Sequence, residues 1–120
     1  MATDNAQLIR GASTALSINY TPSVAVAEGE VVVQGTMVGI AARAIAAGEV
    51  GNLTVGGSVW LLPKDIASGG TVTAGQQLYW DASNSECTNI ASSHNKIGKA
   101  EKASAQATTT VYVVLDGIAS

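Results

Sequence analysis

The 120 residues fit one domain, and their 47 % hydrophobic content comes largely from Ala and Val, without any Phe, so the predicted core is thin. Charged residues make up only 12 % and the net charge is −3, which argues against a nucleic-acid partner because such partners demand clustered Lys and Arg. A thin core leaves a narrow stability margin, which oligomerisation or docking on a large partner would widen.

Residues 1–15 are small and polar, apart from Leu8, Ile9 and Arg10. We interpret this segment as an extended N-terminal arm, separate from a single β-barrel-like domain over residues 16–120. The alternative is a frayed terminus. The segment has neither a basic nor an apolar leader region, and no stretch of the chain reaches the ~18 apolar residues of a membrane span, so we expect no membrane partner.

From Leu16 onward the sequence predicts short strands separated by Gly, Asn and Ser turns, without a convincing helix. The pair Gly56-Gly57 is predicted to be the turn between two of them. This pattern indicates an all-β fold, a small barrel or sandwich. The predicted strands cover residues 16–20, 31–33, 36–43, 51–55, 58–62, 71–73, 76–81, 87–90, 96–102 and 108–116.

Both faces of the strand predicted at residues 36–43 are apolar or small, which favours cover on both sides. Its segment Val38–Ala41 is similar to Ile97–Ala100, and Gly-containing turns precede strands in both halves of the chain. Repeated turn chemistry accounts for this similarity, with an internal duplication as the alternative.

Residues capable of chemistry form no recognisable catalytic pattern. Glu86, Cys87 and His94 lie close in sequence, but they lack the spacing of metal ligands, so we expect no metal and no cofactor. No G-x-S-x-G elbow or phosphate-binding loop is present, and we predict that the protein is not an enzyme. A single Cys excludes an intrachain disulfide and is consistent with a reducing compartment.

Four further residues are candidates for an interface: Lys96, Lys99, Lys102 and Trp80. The lysines would contact an acidic surface, although in a regular strand they do not all share a face. The alternative is a charged edge strand that blocks unwanted pairing. Trp60 and Trp80 are predicted to fill the core, with an interface role as the alternative for either of them.

Seven segments follow one another in a fixed order, at residues 29–33, 38–41, 45–51, 57–64, 73–81, 97–100 and 110–115. Together they resemble a family of small phage proteins, several of which are capsid cement or head decoration proteins of tailed phages. The resemblance implies a compact β-barrel-like protein, made in the host cytoplasm and assembled as trimers on the exterior of an icosahedral capsid. Its implied partners are the major capsid protein and further copies of itself, with Leu8, Ile9 and Arg10 in the arm as capsid-binding candidates. The arm itself and the loop at residues 82–95 match nothing in the family.

The other function that fits the sequence is a carbohydrate- or surface-binding β-module of a phage tail or adhesin. Such a module would use Trp80 or Tyr79 to stack on sugar rings, and it requires that these aromatic side chains are exposed.

Overall fold

The computed structural model describes residues 6–11, 15–66, 70–91 and 94–118, which form nine β-strands and no helix. The strands alternate with tight turns, as the short apolar segments and the glycines between them predict. The strands are β1 Gln7–Arg10, β2 Leu16–Tyr20, β3 Val31–Gln34, β4 Met37–Ala41, β5 Gly51–Pro63, β6 Gln77–Asp81, β7 Glu86–Thr88, β8 Asn95–Ala100 and β9 Thr110–Asp116.

All pairings between these strands are antiparallel, and the sheet order is β3-β4-β5-β9-β8-β6-β7, with β1 and β2 also paired to β5. The sheet curls strongly into a half-barrel, so the predicted all-β class is confirmed. None of the described segments is a helix that is long and apolar enough to cross a membrane.

The predicted turn at Gly56-Gly57 is wrong, because β5 runs without interruption for 13 residues. Its first half pairs with β2 and β4, and its second half pairs with β1 and β9. The register with β9 shifts between Gly56 and Val59, so the glycines mark an irregularity inside one strand. Local turn chemistry resembled a hairpin, but four other strands supply the partners along β5.

The described part of the N-terminal segment belongs to the sheet. Leu8 is paired with Trp60 and Arg10 with Val59, while β2 continues the pairing from Leu16 opposite Gly56. Residues 1–5 and 12–14 lie outside the described residues. The division of the chain into an arm and a domain therefore stays a prediction.

The two halves of the chain repeat one set of backbone hydrogen bonds. A turn precedes each of β3 and β6, and its glycine N–H (Gly29 or Gly75) donates to the carbonyl of Ala41 or Ala100. Next to each turn, an isolated antiparallel β-bridge with two backbone hydrogen bonds joins two loops. These bridges are Val26 with Ile45 and Val72 with Ser104. The similarity between Val38–Ala41 and Ile97–Ala100 therefore extends to equivalent positions in two antiparallel strand pairs, β3–β4 and β6–β8.

The core consists of one large cluster and one small one. Both tryptophans belong to the large cluster, with Trp60 3 % and Trp80 6 % exposed, as predicted. Strand β4 contributes Val38 and Ile40 to the large cluster and Ala41 to the small one. The prediction that this strand is covered on both faces is thus confirmed.

Candidate functional site

A β-bulge in β8 decides where its lysines lie. Tyr79 pairs with Lys96, but two residues earlier on β6 Gln77 pairs with Lys99, so β8 carries one residue more than β6 between these pairs. Positions two apart on β6 share a face, and their partners therefore share it as well. The spacing of three residues predicted that Lys96 and Lys99 lie on opposite faces of the sheet, and for this pair the prediction is wrong.

We call the exposed side of the sheet that carries these residues the lysine face. Lys102 follows β8, and its ammonium lies 4.5 Å from the centroid of the Tyr112 ring, a cation–π contact on the same side. Val114 is opposite Lys99 and is 44 % exposed. The lysine face is built from the side chains of Gln77, Tyr79, Lys96, Lys99, Lys102, Tyr112 and Val114.

Strand β8 is an interior strand, since it pairs with β6 on one side and β9 on the other. A row of lysines that protects an open sheet edge needs an unpaired edge to protect. That explanation of the three lysines is therefore wrong.

Arg10 joins the lysine face from β1. It pairs with Val59, which in turn pairs with Val114, and the Arg10 guanidinium forms a salt bridge with Glu101. The Glu101 Oε1 atom is buried without a hydrogen-bond partner. Of the capsid-binding candidates in this segment, Leu8 and Ile9 are 42 % and 38 % exposed, while Arg10 already has an acidic partner within the chain.

The lysine face concentrates positive charge on an acidic protein. It carries Arg10, Lys96, Lys99 and Lys102, four of the six Lys and Arg residues of the chain. On the outer side of β8 and β9 its described acidic groups are Glu101 and, at the end of β9, Asp116, while Asp81 and Glu86 lie on the same side of the sheet at its β6–β7 margin. The β8–β9 part of the face, with Arg10 and the three lysines against Glu101 and Asp116, is therefore net positive, whereas the whole chain has a charge of −3.

Trp80 lies in the core, so its ring is not available on the surface of this chain. Tyr79 is half-buried beside Lys96. The sugar-stacking hypothesis depended on exposed aromatic side chains, and the burial of both tryptophans counts against it.

Asp81, the last residue of β6, holds together the loop that follows it. The Asp81 carboxylate accepts hydrogen bonds from the backbone N–H groups and side chains of Ser83 and Asn84, and its Oδ2 lies 4.0 Å from His94 Nε2. Burial alone would raise the pKa of Asp81, but these hydrogen bonds outweigh burial and lower it. Cys87 is fully buried, which raises the pKa of its thiol. Among the described residues, no group of three or more His, Cys, Asp or Glu is placed to hold a metal ion.

Lys64 is a buried lysine that the sequence analysis missed. Only 3 % exposed, it donates from Nζ to the carbonyls of Asp65 at 3.0 Å, Gly70 at 2.7 Å and Gln106 at 3.1 Å. Burial lowers the pKa of Lys64, against the opposing charges of Asp65 and Glu86. The sequence signal was a lone lysine directly after a buried strand, and its role here is to join three loop segments.

A groove of about 600 Å³ lies beside β1. It is open to solvent and is bordered by residues 6–9, the Glu28-Gly29 turn, Ala41, Ala42 and Trp60. No cluster of reactive side chains lies among these residues.

The described surface thus offers a charged and partly apolar sheet face and a groove that is open to solvent, which are features of a binding protein. A family model described as phage cement protein matches residues 12–115. The chain therefore belongs to the phage cement protein family, a family of virion structural proteins. Comparisons with curated proteins and with solved structures found no match.

Proposed function

We propose that this protein binds the outer surface of the expanded phage head as trimers and stabilises the shell. Its partners are the major capsid protein and further copies of itself. The observation that carries the proposal is the match of the cement family model to residues 12–115, which covers eight of the nine strands in whole or nearly so.

The mechanism is thermodynamic. A ligand that binds only the assembled, expanded shell stabilises that state by mass action. Contacts that are individually weak add through avidity when three copies are tied together and the trimers repeat over a lattice. The thin core supports this proposal, because docking on a large partner adds stability that the isolated domain has little apolar area to provide.

The exposed apolar side chains of the N-terminal segment support a contact with the shell. Leu8 and Ile9 are both partly exposed on β1, and with Trp60 they line the groove. In this proposal each protomer presents this segment, within Ala2–Ala15, to one shell subunit.

The test mixes purified protein with heads that lack it and follows their rupture on heating. We expect decorated heads to rupture at a higher temperature than undecorated heads. Equal rupture temperatures would contradict the cement function. Multi-angle light scattering of the isolated protein then tests whether it forms a trimer. A protein that is monomeric at micromolar concentration, and whose copies also lie apart from one another on the shell, would contradict the trimer.

A further inference from the structure

We propose that the lysine face is the surface that docks onto an acidic patch of the capsid shell. This inference rests on the proposed function, since the shell is its partner. It assigns the contact to the outer side of β8 and β9, in addition to the N-terminal segment.

The first support is the backbone geometry of β8. A regular strand would place Lys96 and Lys99 on opposite sides, and the bulge beside Gly98 brings both to one side. Such bulges re-aim side chains, often next to functional sites. Gly98 permits this arrangement because a Cβ atom there would lie 2.2 Å from the carbonyl oxygen of Val114.

The second support is the composition of the face. Lys102 is held over the Tyr112 ring, so part of the entropy cost of fixing a lysine on binding is already met within the free protein. Val114 is 44 % exposed between the charged groups and provides an apolar contact at the centre of the patch. Interfaces commonly combine such a centre with charged groups around it.

The third support is charge. A protein with a net charge of −3 is repelled by other acidic surfaces unless it turns a positive region towards them. The part of the lysine face on β8 and β9 is that region, because four of the six cationic side chains lie on or beside these strands, while Asp81 and Glu86 lie at the β6–β7 margin. An acidic protein surface is therefore its complementary partner, whereas a nucleic acid would be repelled by the rest of the molecule.

The test compares wild-type protein with the triple variant Lys96→Gln, Lys99→Gln and Lys102→Gln. Both are mixed with undecorated heads, and bound protein is measured by co-sedimentation over a range of NaCl concentrations. Exposed ion pairs contribute about 1.4- to 5-fold each to affinity, so we expect the triple variant to bind about 3- to 125-fold more weakly. Its binding should also vary less with salt than that of the wild type.

The matched control is the variant Arg43→Gln, Ala44→Glu and Ala47→Glu. It lowers the net charge by the same amount at three exposed positions outside the lysine face. We expect it to bind heads within about twofold of the wild type. Thermal unfolding of all three proteins confirms that each is folded.

The outcomes separate the inference from the proposed function. Wild-type protein that fails to bind heads overturns both. Wild-type binding with equal binding of the triple variant overturns the docking face and leaves the cement function in place. The inference is also overturned if the triple variant binds heads normally but loses self-association, which makes the face a contact between copies. Binding of the wild type to DNA through these lysines, in place of heads, would overturn it as well.

Discussion

Replacing Lys64 with Met is expected to destabilise the protein by about 2–4 kcal/mol, although Met preserves much of the side-chain volume. The Nζ atom donates to three backbone carbonyls, and the most buried of these bonds, to Gly70, is 2.7 Å long. The hydrogen bond to Gln106, which lies 42 residues away in sequence, is also lost. The loops before β6 and β9 would then lose their common anchor.

The size of this loss of stability depends on whether each carbonyl, once its donor is gone, stays buried or can bond to water. The Gly70 oxygen loses its donor in a buried position, which costs about 1–3 kcal/mol. The bonds to Asp65 and Gln106 are partly buried, so water can replace the donor and each loss costs about 0.5–1 kcal/mol. The ammonium no longer has to be desolvated in the variant, and this recovery keeps the total near the middle of the range. A domain of this size has a free energy of unfolding of about 5–15 kcal/mol, so the change is easily measured.

The assay is urea unfolding followed by the fluorescence of the two buried tryptophans. We expect a lower midpoint with an unchanged slope. Lys99→Met is the control, and because Lys99 is exposed it should change the free energy of unfolding by less than about 0.5 kcal/mol. If Lys64→Met is as stable as the wild type, the cost of desolvating the ammonium equals everything its hydrogen bonds contribute, and the reasoning is refuted.

Three further predictions concern single sites. Cys87 should react with a thiol reagent only as fast as the protein unfolds, because it is buried and burial raises the pKa of its thiol; rapid labelling in native buffer would contradict this. Gly98→Ala should cost about 1–3 kcal/mol more in unfolding experiments than Gly35→Ala, because a Cβ at residue 98 meets the backbone 2.2 Å away while nothing lies within 4 Å at residue 35. Equal losses would show that the backbone contact is easily relieved. Burial raises the folded-state pKa of Glu86, and the nearby charges of Asp65 and Asp81 raise it further. The stability linked to protonation of Glu86 is therefore present below its unfolded pKa of about 4.5 and is lost as the pH rises through the folded value. Glu86→Gln should therefore raise the melting temperature at pH 7, with the gain disappearing below about pH 4, and a gain that is independent of pH would argue against this cause.

Several features of the fold followed directly from local sequence. Alternation of apolar residues marked β9, whose buried and exposed positions match the prediction over Val111–Leu115. Small apolar side chains on both faces marked β4 as a covered strand, and the absence of Phe with two tryptophans marked Trp60 and Trp80 as core residues. These predictions succeeded because side-chain alternation and turn chemistry are properties of neighbouring residues. The order of the turns also carried the resemblance to the cement family, which the family model confirms.

The features that shape the candidate site were decided by contacts between distant residues. Glycines at positions 56 and 57 look like a turn, but β5 continues through them because its partners come from four other strands. The three loop carbonyls around Lys64 come together only in the folded chain.

The lysine face shows most clearly which features local sequence predicts and which depend on the tertiary structure. The sequence by itself predicted a lysine-rich strand at residues 96–102, and the structure has this strand at Asn95–Ala100. Whether Lys96 and Lys99 share a face, and whether their strand is at an edge, depended on the register with Gln77 and Tyr79 and on the pairing with β9. A shift of one residue in register moves every following side chain to the other side of a sheet. That register is set by backbone hydrogen bonds between strands far apart in sequence, and only the tertiary structure contains them.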